Sequence, residues 1–281
     1  MTSILSNEVV PANGAGRPHL SSDAHAPHDP ESQDHASHEA HDTKSYYDEF
    51  SHAYERYRLP NDPVGYHALI DDLEVRLVER YGKGQSILEC GCGTGLLLSR
   101  FAGFASTVSG IDLSPGMLSR ARGRGLSVEE ASVTNLPFED ASFDVTCAFK
   151  VLAHVPDIGR ALSEMVRVTR PGGVVLAEFY NPISFRGLVK RLGPAGKISR
   201  HTKEDAVYTR FDPPWVISKI IPPNARFERA YGIRIVTPAA AALKIPGVGR
   251  LLKRAEERLA DSSLAYFGGF YVAVLRRNPI T

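Results

Sequence analysis

Residues 87–96 read ILECGCGTGL: an apolar run carrying one acid, Glu89, then glycines at 91, 93 and 95 before apolar residues resume. Glycine tolerates positive φ and leaves room beside the main chain, so glycines this dense between a strand and a helix point to a bound ligand. Downstream, SILEC, TVSGID, LSVEEAS, FDVTCAF and GVVLAEFY have strand character, while LLLSRFAG, SPGMLSRARGRG and DIGRALSEMVRVT carry helical spacing. Strands alternating with helices form right-handed βαβ units. The fold class is therefore α/β, a parallel sheet with helices on both faces. Ligands of such sheets sit at the carboxyl ends of the strands, the position of CGCGTG after the first strand. RPGG at 170–173 reads as a turn, with Pro171 ending a helix and the two glycines reversing the chain.

Residues 1–44 lack apolar periodicity and are rich in His, Asp, Ser, Ala and Pro, a composition that predicts a disordered tail. Residues 45–281 read as one domain. Its first part, 45–83, holds two helices, one with Tyr47, Phe50, Tyr54 and Tyr57 at helical spacing and one closed by Gly82. The ligand-binding core spans 84–181, and 182–281 is the substrate side. In that last part EFYNPISFRGLVKRLGP predicts a loop and a basic amphipathic helix, and RFERAYGIRIVTP and LAYFGGFYVAVLRR predict a closing antiparallel pair. Between the pair lies a helical insert, AAAALKIPGVGRLLKRAEERLA.

The 281 residues are 43% hydrophobic and 23% charged, enough for a full core. No run is long and apolar enough for a membrane span and no leader pattern is present, so a cytoplasmic location is expected. Cys90, Cys92 and Cys147 are scattered as packing thiols in a reducing compartment. The net charge of +1 hides an uneven distribution: 182–281 carries 18 basic against 7 acidic residues, +11. Basic charge attracts phosphate, but no RNA-binding module is recognisable, which argues against nucleic acid. Six of the ten histidines lie in the tail, without a fold to fix metal geometry, so no metal site is expected.

A dinucleotide fingerprint requires a glycine where Leu96 stands, and a phosphate loop requires a lysine that is absent. The spacing is G-x-G-x-G instead, preceded by Glu89, and a second acid, Asp112, closes the next strand. That carboxylate can accept both hydroxyls of a ribose, while Glu89 suits an ammonium and repels pyrophosphate. Ribose plus an amino acid without phosphate describes S-adenosylmethionine.

On these residues the chain resembles the class I S-adenosylmethionine-dependent methyltransferases, of the ubiquinone- and menaquinone-methyltransferase-like kind. ILECGCGTG is similar to the family's first motif, GIDLSPGML to its second, VEEASVTNLPFEDASFDVTCAF to the adenine-side loop and fourth strand, and RVTRPGGVVLAEF to the turn into the fifth. The resemblance implies a Rossmann-like, seven-stranded, mostly parallel sheet with an antiparallel last strand, an N-terminal helical lid and a C-terminal helical insert that covers the active site. It also implies that Glu89, Gly91, Cys92 and Gly93 contact the methionine part, Asp112 the ribose, Leu113 and Met117 the adenine face, and Ser132 with Val133 its edge. Ser132 departs from the usual Asp. Tyr46, Tyr47 and Tyr54 either close over the cofactor or pack on the core. His154 is the catalytic candidate, either a base or a residue packed on the cofactor, and Lys150 either holds an anionic substrate or is a surface lysine. The expected acceptor is small or medium and apolar, methylated at O, N or C, in secondary metabolism. The basic, apolar insert suits either a hydrophobic acceptor with an anionic group or a membrane surface, or else it is a helix that packs on the sheet with a solvated outer face. RNA or protein methylation, a noncatalytic cofactor-binding subunit and a dehydrogenase remain alternatives.

Overall fold

The computed structural model describes residues 44–52, 54–56, 58, 65–185 and 208–279. The expected disordered tail up to residue 43, Tyr57 and most of the expected basic amphipathic helix lie outside the described residues.

Helix α1 (residues 44–52 and 54–56) and α2 (Tyr66–Gly82) precede β1 (Ser86–Cys90). Then come α3 (Leu96–Phe101), β2 (Thr107–Asp112), α4 (Pro115–Gly123), β3 (Val128–Glu130), β4 (Phe143–Ala148), α5 (Ile158–Val168) and β5 (Thr169–Tyr180). After a short helix (Pro214–Ile217), β6 (Ala225–Ile233), α6 (Val248–Leu259) and β7 (Phe270–Arg277) end the fold. The seven strands lie in the order β3-β2-β1-β4-β5-β7-β6, and β7 is antiparallel to both its neighbours. The sheet is the one the sequence implies. Alternate residues of β1 face opposite layers: Ile87 joins Leu73, Leu77 and Leu98 on one side, Leu88 joins Leu162 and Met165 on the other.

Three expectations are corrected. First, RPGG does not reverse the chain. Residues 170–173 bulge within β5, because the register steps from Phe143↔Thr169 to Val145↔Val174. A Cβ on Gly173 would lie 2.6 Å from the Asp144 carbonyl, so that bulge packs backbone against β4. Second, the first part of LAYFGGFYVAVLRR is not strand: Ser263–Phe267 is a 3-10 helix and pairing begins at Phe270. Third, the insert does not cover the ligand cavity. It packs beside α2, where Arg76 pairs with Glu257 at 3.0 Å and Arg80 with Asp261 at 2.5 Å. Its anchor is Glu256, whose buried carboxylate accepts the backbone N–H groups of Ile235, Val236 and Thr237 at 2.8–2.9 Å and the Thr237 hydroxyl at 2.7 Å. Among the described residues, no helix is long and apolar enough to cross a membrane.

Candidate cofactor and active site

A cavity of about 540 Å³ opens at the carboxyl ends of the parallel strands, between the glycine turn, α1 and the segment after β4. Every predicted contact, Glu89, Gly91, Cys92, Gly93, Asp112, Leu113, Met117, Ser132, Val133, Tyr47 and His154, lines it.

The turn is held by the next strand. Gly91 and Cys92 donate their N–H groups to the Ile111 carbonyl at 2.7 and 2.9 Å, and Gly93 donates to Asp112 Oδ2 at 2.9 Å. Asp112 Oδ1 accepts the Ser114 N–H at 2.9 Å. Burial pushes the Asp112 carboxyl up, and these backbone donors oppose the shift. The glycines differ in purpose. At Gly95 (φ +79°) a Cβ would lie 2.4 Å from Leu126 Cδ1, so this position serves close packing of the start of α3 against α4 and the chain that follows it. At Gly93 (φ +54°) a Cβ would meet nothing within 4 Å, and bare backbone faces the cavity. Gly91 is confined by Val151, 2.1 Å from its would-be Cβ.

Glu89 is 3% exposed, and its Oε2 has no hydrogen-bond partner. Burial holds its carboxyl well above the ordinary range. The Cys92 thiol is likewise pushed up by burial and stays a neutral packing group. Met117 and Val133 give the cavity an apolar side. Ser132 Oγ is already engaged locally, 2.7 Å from Thr134 Oγ1 and accepting the Thr134 N–H at 3.2 Å.

Helix α1 closes the cavity with Tyr46, Tyr47, Phe50 and Tyr54. Asp48 Oδ1 hooks it to the start of α4 by accepting from the Gly116 N–H at 2.7 Å and the Ser114 hydroxyl at 3.1 Å. Outer ion pairs, Lys44 with Glu130 and Arg124 with Glu55, add to the attachment. His154 ends a short 3-10 helix (Leu152–His154) after β4. Its ring lies edge-on between Tyr47 and Tyr180, at centroid distances of 6.1 and 5.9 Å. Its Nδ1 is 2.9 Å from the Tyr208 carbonyl oxygen. Burial lowers the imidazole below its ordinary value, and the Tyr208 bond opposes this.

Lys150 is neither a surface lysine nor a free anion holder. Its Nζ sits 2.6 Å from both Glu74 oxygens and 3.6 Å from Asp71, while its N–H donates to Glu178 at 2.9 Å. Burial disfavours the ammonium, yet Glu74, Glu178 and Asp71 outweigh it and keep Lys150 charged. Arg58 adds to this cluster by pairing with Asp71 and donating to the Tyr54 hydroxyl at 2.9 Å. Arg58, His67 and Tyr180 also line the cavity and were missed in the sequence. Arg58 and His67 carry no motif and reach the cavity only through tertiary packing. Tyr180 could have been found as the last residue of the GVVLAEFY strand.

A family model described as a methyltransferase domain matches residues 88–177. An uncharacterized methyltransferase from Mycobacterium sp. (strain JLS) is 35% identical over 147 residues, 49% of this chain and 57% of the relative. A demethylmenaquinone methyltransferase from Paenarthrobacter aurescens is 36% identical over 118 residues, 41% of this chain and 44% of the relative. The chain thus spans about half the length of the curated relatives it matches. The crystal structure of an S-adenosylmethionine-dependent methyltransferase from Thermotoga maritima, described as a possible histamine N-methyltransferase, superposes with a TM-score of 0.59. It is 21% identical and covers 83% of this chain and 98% of its own, a likeness of fold.

Proposed function

We propose that the chain, whose residues 88–177 match a methyltransferase-domain family model, is a class I S-adenosylmethionine-dependent enzyme that methylates a small or medium, largely apolar acceptor at oxygen, nitrogen or carbon. The observation that carries the reading is the unpartnered Glu89 Oε2, buried beside the bare backbone of Gly93 and on the same cavity as Asp112. A buried carboxylate without a partner is costly, and an ammonium supplies both the missing donors and the opposite charge. S-adenosylmethionine fits these acceptors. Glu89 would hold its ammonium, Asp112 its ribose hydroxyls, and Leu113, Met117 and Val133 its adenine, with the Val133 backbone taking the edge that the engaged Ser132 hydroxyl leaves.

When bound, the cofactor supplies a methyl group already activated on a sulfonium. The chain's own work is to hold the acceptor in line, exclude water and accept a proton. The Tyr208 carbonyl can only accept, so His154 Nδ1 carries the hydrogen and Nε2 keeps its lone pair. With its pKa lowered by burial, the ring is neutral at pH 7. His154 is thereby suited to take a proton from an acceptor O–H or N–H. Tyr46, Tyr47, Phe50, Tyr54 and Tyr180 supply apolar walls. Because the cationic groups at the inner end, Lys150 and Arg58, are matched by Glu74 and Asp71, the cavity suits a neutral acceptor better than an anion.

The test is incubation with methyl-labelled cofactor and a cell extract separated into organic-soluble metabolites, RNA and protein. Label is expected in the organic fraction. Label confined to RNA or protein would overturn the small-molecule reading.

A further inference from the structure

The sequence KIPGVGRLLKR, residues 244–254, contains four basic residues and no acid. In the structure it forms an exposed tip at the start of α6. Ile245, Val248 and Leu251 are 52%, 40% and 69% exposed, and Lys244, Arg250 and Arg254 are exposed around them. Aliphatic side chains held in water beside cations are unfavourable for an isolated surface and suited to a medium that is apolar below and anionic above.

The position of the tip follows from the ion pairs. Arg76 faces Glu257 and Arg80 faces Asp261, so the later turns of α2 are tied to the end of α6 and the chain just after it, and the two helices run in the same general direction. The start of α2, where His67 lines the cavity, and the start of α6 thus lie toward the same side of the molecule. The tip therefore stands at the cavity end of the molecule. Other exposed apolar groups share that end. Phe211, 60% exposed, has its ring 6.0 Å from that of Tyr180, and the Tyr266 carbonyl accepts from Asn181 at 2.9 Å, just past Tyr180. Phe267 is exposed beside Tyr266.

We propose that this end of the molecule docks on an anionic lipid bilayer, with Ile245, Val248 and Leu251 entering the headgroup boundary and Lys244, Arg250 and Arg254 meeting the lipid phosphates. A second copy of the same tip is disfavoured by like charge, and nucleic acid offers no partner to the three aliphatic groups. The cavity then opens beside the membrane, where apolar compounds concentrate. The proposal does not rest on methyl transfer or on the identity of the acceptor.

Vesicle flotation of the full chain tests it. Binding to phosphatidylglycerol-containing vesicles is expected, weak binding to pure phosphatidylcholine, and weakening as salt is raised. The double variants V248E/L251E and R250E/R254E should each lower partitioning roughly tenfold or more, with thermal melting and S-adenosylhomocysteine binding unchanged. As a second measure, the Leu251→Trp chain should gain a blue-shifted emission component on anionic vesicles that the parent chain lacks. Absence of vesicle binding, partitioning unaffected by V248E/L251E, an unshifted Leu251→Trp spectrum, or salt-sensitive binding to RNA with none to vesicles would each overturn the proposal.

Discussion

Four residues at or beside the cavity carry separable expectations. Gly93→Ala places a methyl into open space, so its cost falls on the cofactor: calorimetry should show S-adenosylhomocysteine binding weakened about tenfold or more, with a stability loss of about 1–2 kcal/mol from the positive φ. Gly95→Ala meets Leu126 as well, and urea denaturation should show the larger loss of stability of the two. The motif gave both glycines the same appearance, because spacing reveals backbone freedom but not which side faces a neighbour. Asp112→Ala removes the ribose acceptor and strands the Gly93 and Ser114 N–H groups. It should cost roughly 1–3 kcal/mol of cofactor affinity, and unchanged affinity would refute the assignment. His154→Ala should lower turnover about 10²–10⁴-fold while cofactor binding holds, if the imidazole is the base. The neutral ring is the active form, and burial lowers its pKa, so turnover rises with pH through a value below 6.5 and is flat at neutrality. An acidic limb above that value would contradict the buried, singly protonated ring described here.

Among the elements, those with strict periodicity were legible and those fixed by buried polar contacts were not. The strands and helices of 86–168 lie close to where their hydrophobic patterns put them, since each pattern matches the layer that covers it. RPGG misled because glycines mark bulges as readily as turns, and only the β4 neighbour decides between them. The insert misled for a related reason. Its amphipathic pattern shows that one face is covered, but Glu256, reading as an ordinary surface acid, determines which one by gripping the backbone after β6. Glu256→Ala leaves two buried N–H groups and one half-buried one without an acceptor and should destabilise the fold by about 3 kcal/mol or more, measured by urea denaturation, with Glu256→Gln intermediate. Helix α1 depends on Asp48 in the same way. Asp48→Ala should speed proteolysis around residues 44–58 and raise KM for the cofactor while leaving the melting temperature of the core nearly unchanged.

For the molecule as a whole, the described residues that line the cavity all lie at or beyond Tyr46. A chain beginning at Thr43 should therefore keep the turnover of the full chain, and a folded truncation without turnover would assign the N-terminal segment a part in the site. The sequence by itself determined the α/β layering, the seven-stranded, mostly parallel sheet implied by the resemblance, and the turn with its two acids, because these depend on local periodicity and on residues close together in the chain. It placed Tyr47 and His154 near the same ligand but left open whether they meet. Only the tertiary structure decided that His154 is oriented by the Tyr208 carbonyl, that Lys150 is neutralised by Glu74, and that the insert stands beside the cavity rather than over it. Each of these is a contact between side chains or backbone groups far apart in the chain. Its energy comes from burying a charge or a polar atom against one particular partner, and no local pattern of residues encodes which partner that will be.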